Sequence, residues 1–117
     1  MARGIGGPHV GFNMTWPIAI AVRMMTADND AEAAECLNQL ITTTADTGLM
    51  HESFNVDDPN DFTRSWFAWA NGVFAEAVLQ LVTTRPALLI KPEFIAQAQS
   101  LVKPTISLLA QQEALLP

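Results

Sequence analysis

Cysteine is almost absent. Cys36 stands alone in 117 residues, so no internal disulfide can form, and the redox compartment is left undecided. Its place in an apolar helical pattern marks a buried structural thiol. Basic residues are scarce as well. Six Lys and Arg face twelve Asp and Glu, giving a net charge of −6. Arg3, Arg23, Arg64, Arg85, Lys91 and Lys103 are scattered, which excludes the basic footprint of a nucleic-acid partner. No apolar run approaches the ~20 residues of a membrane span, and "MARGIGGPHVG" lacks the apolar core of a signal peptide. The chain therefore reads as soluble. No segment alternates over a useful length, and there is no internal repeat or low-complexity tract.

What the chain does have is helical periodicity. Half of its residues are apolar, enough for one modest core. After the glycine-rich loop of residues 1–15, Thr15 stands at an N-cap position and Pro17 in a first turn. The apolar run from Trp16 to Met25 predicts a nearly all-round buried helix over 16–27. Asn29, with Glu32 three residues on, has capping-box spacing. Ala33, Cys36, Leu37, Leu40 and Ile41 then recur at threes and fours, predicting a helix over 31–44. The longest pattern runs through Trp66, Phe67, Ala70, Val73, Phe74, Ala77, Val78, Leu81 and Val82, with Thr63 or Ser65 as cap, and predicts a third helix over 65–83. Pro86, Pro92 and Pro104 divide residues 84–117 into short pieces, read as a C-terminal extension of brief helices or irregular chain. The fold class expected is all-α, a helical hairpin layer occupying residues 1–83.

Short connections make successive helices antiparallel, so the loop before the first helix and the loop between the second and third share one end. That end gathers His9, Asn13, His51, Glu52, Ser53, Asp57, Asp58, Asp61 and Arg64, beside Trp16 and Trp66. The opposite end, at "DND", is expected to hold little but solvated acids. Polar groups at the loop ends of rigid helices, next to aromatic faces, suit a binding site.

Simpler chemistries fail on spacing. A zinc helix starting at His51-Glu52 needs a second His at position 55, which is Asn, so no metal site is expected. "GIGGPHVG" follows no strand and has His9 where a dinucleotide loop needs its last Gly. No serine stands in a nucleophile elbow. Asp57, Asp58 and Asp61 fit a solvated turn, and Trp66 and Trp69 fit either a core or a sugar-binding face.

Three blocks, "GGPH", "MHESF" and "TRxWFAWAN", within a match from about residue 4 to residue 83, resemble the C-terminal part of glycoside hydrolase family 125. The resemblance implies an (α/α)6 barrel and an exo-acting, inverting α-mannosidase on α-1,6-linked mannose, with no metal or other cofactor. Inversion requires an acid and a base roughly 6.5–9.5 Å apart. By resemblance the base is Glu52, and the acid is an Asp upstream of these residues. His9, His51, Trp66 and Asn71 are then candidate contacts to a mannose-containing glycan, and the remainder of the barrel is a candidate partner. The alternative is a non-catalytic helical piece that binds a partner or a mannoside.

Overall fold

The computed structural model describes residues 1–91 and Ala96. It contains helices α1 (Pro17–Met25), α2 (Asp30–Thr42), α3 (Ala68–Thr84) and the short α4 (Pro86–Leu89). Three short strands accompany them: β1 (Met14–Thr15), β2 (Ser53–Asn55) and β3 (Phe62–Thr63). The expected all-α class is corrected by that sheet. It is antiparallel, in the order β1-β2-β3, with Met14 opposite Asn55 and Thr15 opposite Phe54 on one side, and Ser53 opposite Thr63 on the other. Strands of two or three residues are too short to show a period of two, which is why the sequence pattern passed over them.

Helix α1 is the central helix, packing against both α2 and α3. It contributes Ile20, Ala21 and Met24 to a core completed by Ala33, Cys36, Leu37 and Leu40 of α2, Ala70, Ala77 and Leu81 of α3, and Phe54 of β2. Burial pushes the Cys36 thiol pKa up, opposing its ionisation. Leu88 of α4 returns to the same core. The rest of the expected extension, residues 92–95 and 97–117, lies outside the described residues.

The helix starts differ from expectation in informative ways. Asn29 Oδ1 accepts from the Glu32 N–H at 2.9 Å, but the Glu32 carboxylate does not close the capping box, because it bonds Arg23. Thr15 caps nothing. It is fully buried, and its hydroxyl donates to the Ile5 carbonyl; α1 instead starts at Pro17, whose missing N–H needs no cap. Neither Thr63 nor Ser65 caps α3, which starts at Ala68 with an extended Phe67 at its N-cap and no side-chain cap bond.

The glycine loop at 4–7 is packed closely against β1. A Cβ on Gly6 would lie 1.9 Å from the Met14 carbonyl oxygen, and one on Gly7 would lie 2.7 Å from the Trp16 ring and 2.9 Å from His9 Nδ1. Only a residue without a side chain lets this loop lie there.

Helix α3 is apolar on faces that its neighbours do not cover. Trp69 is 71% exposed and Leu79 62%; Val82, part of the expected apolar stripe, is also exposed, as is Trp66 just before the helix. No helix among the described residues is long and apolar enough to cross a membrane.

Candidate functional site

The sheet brings the loop before α1 together with the loop before α3. A pocket of about 440 Å³ opens there, lined by His9, Trp16, Ile18, Glu52, Phe67 and Trp69. Five of the six lining residues are aromatic or aliphatic, and Glu52 is the only carboxylate among them. Its side chain is 21% exposed, a half-buried charge facing an apolar cavity. The His9 and Trp16 rings lie 5.7 Å apart and tilted by 41°, and Phe67 and Trp69 are 6.4 Å apart. Flat aromatic walls beside one carboxylate can pack against the face of a sugar ring while the carboxylate acts at its edge.

Of the residues singled out by sequence, His9 and Glu52 meet in this pocket; His51, Trp66 and Asn71 do not line it. His51 is buried. Its Nδ1 lies 2.8 Å from the Ser65 carbonyl, and since a carbonyl can only accept, Nδ1 carries the proton. The ring stacks on Phe62 at 4.0 Å, and Nε2 has no hydrogen-bond partner among the described residues. Asn71 is committed to the scaffold. Its Oδ1 accepts from the Met50 N–H, while Nδ2 donates to the carbonyls of Met50 and Phe67, so both amide protons are used. Trp66 lines another cavity, of about 470 Å³, with Arg64, Ser65, Phe67 and Ala68; Phe67 lines both.

Trp69, weighed from the sequence as either core or sugar-binding face, forms pocket wall together with Phe67, which the sequence assigned to the core. Arg64, placed at this end by the sequence, has its Nε 3.1 Å from Glu52 Oε2, a contact the sequence did not indicate. The available signal was that Arg64 is the one basic residue in the 48–71 stretch. The aspartates behave as turn chemistry. Asp57 accepts from Asn13, Asp58 from the Asn60 backbone, and Asp61 from Asn55. Among the described residues no group of three or more His, Cys, Asp or Glu is arranged to hold a metal ion.

At the opposite end Asp28, Asp30 and Glu35 are exposed as expected, but Asp30 and Glu35 are also paired with arginines. Arg23 bonds Glu32 at 2.8 Å and approaches Glu35, and Arg85 pairs with Asp30 while donating to the Ala27 carbonyl at 2.7 Å.

Comparison with known proteins adds three findings. The family model for metal-independent alpha-mannosidase (GH125) matches residues 1–79. The chain is 48% identical over 88 residues to the meiotically up-regulated gene 157 protein of Schizosaccharomyces pombe, covering 75% of this chain and 17% of that one. It is also similar, at a TM-score of 0.67 and 43% identity, to a Streptococcus pneumoniae structure from a family of metal-independent alpha mannosidases, in a non-productive complex with alpha-1,6-mannobiose. That match covers 72% of this chain and 20% of the other. The chain thus spans about a fifth of the length of these relatives.

Proposed function

The chain belongs to the metal-independent alpha-mannosidase family (GH125), and from that premise we propose that it carries the base-bearing part of an inverting exo-α-mannosidase site for α-1,6-linked mannose. The observation that supports this most is the half-buried Glu52 carboxylate set between the aromatic walls of one pocket. In an inverting reaction the base takes a proton from a water as that water attacks the sugar carbon, and an acid on the opposite ring face protonates the departing oxygen. Glu52 suits the first role. Among the described residues the pocket lining offers no second carboxylate for the other, and the family resemblance assigns the acid to the remainder of the fold, which in the relatives is about four-fifths of the chain.

The same reading accounts for α3. A helix that leaves large apolar side chains exposed suits the inside of a larger body, and the exposed Trp69, Leu79 and Val82 are read as faces for further helices of an (α/α)6 barrel. The mannobiose complex of the Streptococcus pneumoniae relative supports a mannoside as ligand. A second reading, a non-catalytic piece that binds a mannoside or a partner, draws on the short span of the chain relative to its relatives.

The test is a chimera in which residues 1–79 replace the matching segment of the Streptococcus pneumoniae relative. Glu52→Gln keeps the shape but cannot accept a proton, so kcat on α-1,6-mannobiose is expected to fall by about 10²–10⁴-fold with KM little changed. Glu76→Gln, on an exposed position of α3, is the control expected to keep turnover. Full activity in Glu52→Gln would remove the base from this residue and favour the binding reading.

A further inference from the structure

Glu52 and Arg64 face each other at the end of the β2–β3 ladder. The pairs Phe54–Phe62 and Ser53–Thr63 set the register, and continuing it by one position puts Glu52 opposite Arg64. The Glu52 N–H still donates to the Thr63 carbonyl at 3.2 Å. There the ladder stops, because Arg64 adopts φ 51, the left-handed region that a side chain of this size rarely enters.

Such a conformation persists only where the surroundings fix it. Here they do so from both sides. His51 holds the Ser65 carbonyl, and the Phe67 N–H donates to the Met50 carbonyl at 2.9 Å, so the residues after Arg64 are tied to those before Glu52. The guanidinium that results lies with Cζ 5.3 Å from the centre of the Phe67 ring and Nε 3.1 Å from Glu52 Oε2. Among the described residues neither Glu52 carboxylate oxygen accepts a hydrogen bond, and the ion pair of Arg64 with Oε2 is the polar contact the carboxylate has.

Stability gives a poor reason for this arrangement. The Arg64 side chain is 64% exposed, and exposed ion pairs add little to folding. A strained backbone that delivers a weak ion pair next to a pocket is better explained by what the pair holds.

Resting on the reading of Glu52 as base, we propose that Arg64 is a positioning residue for that carboxylate. Its guanidinium pins Oε2 from a rigid turn, with Phe67 as a floor, and so fixes the orientation in which Oε1 receives the proton of the attacking water. Arg64 transfers no proton itself. Its contribution is orientation, where a displacement of about 1 Å can cost on the order of 100-fold in rate.

The chimera described above tests this with Arg64→Met, Arg64→Gly and Arg64→Lys, alone and with Glu52→Gln. Met and Gly are each expected to lower kcat by roughly 10–100-fold while KM stays within about threefold. Arg64→Gly carries the argument, because glycine relaxes the left-handed backbone; a merely structural Arg64 would leave that variant fully active. Lys, a point charge without the planar fork, should recover only part of the loss. In the Glu52→Gln background, Arg64→Met should add less than about threefold, since there is no base left to orient. Wild-type kcat in Arg64→Gly, or a raised KM with kcat unchanged, overturns the positioning role while leaving Glu52 as base. Wild-type kcat in Glu52→Gln overturns the base, and the positioning role with it.

Discussion

The two ends of the molecule use the same chemical pair, arginine with a carboxylate, for different purposes. At the α1–α2 turn each arginine has more than one partner. Arg23 bonds Glu32 and approaches Glu35, and the Glu32 bond, the largest influence on it, raises the pKa of its guanidinium. Arg85 joins Asp30 and the Ala27 carbonyl, fastening the end of α3 to the start of α2. At the pocket end, Arg64 has one carboxylate and an aromatic ring, and no backbone carbonyl. What separates a fastener from a tool is the kind of partner. Arg85, which satisfies the Ala27 carbonyl, holds chain to chain, whereas Arg64, which meets only side chains among the described residues, can direct one of them.

The comparison implies where stability resides at each end. At the pocket end it should lie beneath the charged pair, in the groups that hold the turn. Asn71→Ala removes three hydrogen bonds that join the Met50 and Phe67 backbones and leaves the Met50 N–H unpaired, while the Met50 and Phe67 carbonyls keep the backbone donors of Phe67 and residue 71. A loss of about 2–3 kcal/mol is expected in urea unfolding of the chain. A loss below about 0.5 kcal/mol would break the distinction between scaffold and tool. At the opposite end the arginine is itself the fastener. Arg85→Met should cost about 1–2 kcal/mol, chiefly through the abandoned Ala27 carbonyl, because Asp30 is well exposed and its pair is screened by solvent. Raising the salt concentration should reproduce only a minor part of that loss. The smallest effect is reserved for Arg64→Met, expected to change unfolding stability by no more than about 0.5 kcal/mol. A cost equal to that of Arg85→Met would make the two arginines alike and sharpen the comparison against us.

Much of this architecture was legible in the sequence. Three-and-four spacing located all three long helices to within a few residues, and the Asn29 cap was visible from its spacing to Glu32. The convergence of His9 with Glu52 followed from antiparallel helices alone. The strands were not legible, because two residues such as Phe62 and Thr63 carry no period. With them went the register that places Arg64 against Glu52. Nor could spacing distinguish a polar residue that faces a ligand from one that faces the backbone. His51 and Asn71 have the right chemistry for sugar contacts, yet in the fold Nδ1 of His51 goes to Ser65 and the amide of Asn71 goes to Met50 and Phe67. Asn13 shows the same limit: its Asn-Met-Thr spacing fits a glycan acceptor, but the side-chain amide is bonded to Asn55 and Asp57.

The pairing of β1 with β2 also has a temporal side. Met14 must wait for Asn55, roughly forty residues later, before the first rung can form. The α1–α2 hairpin, made of near neighbours, needs no such delay and is the natural early product on the ribosome, where chains grow at about 5–20 residues per second. His9 and Trp16 leave the exit tunnel seconds before Phe67 and Trp69. A nascent chain halted before residue 64 would therefore carry Glu52 with neither its arginine nor the Phe67 and Trp69 half of its ring-bearing walls, so the pocket is assembled after the α1–α2 hairpin.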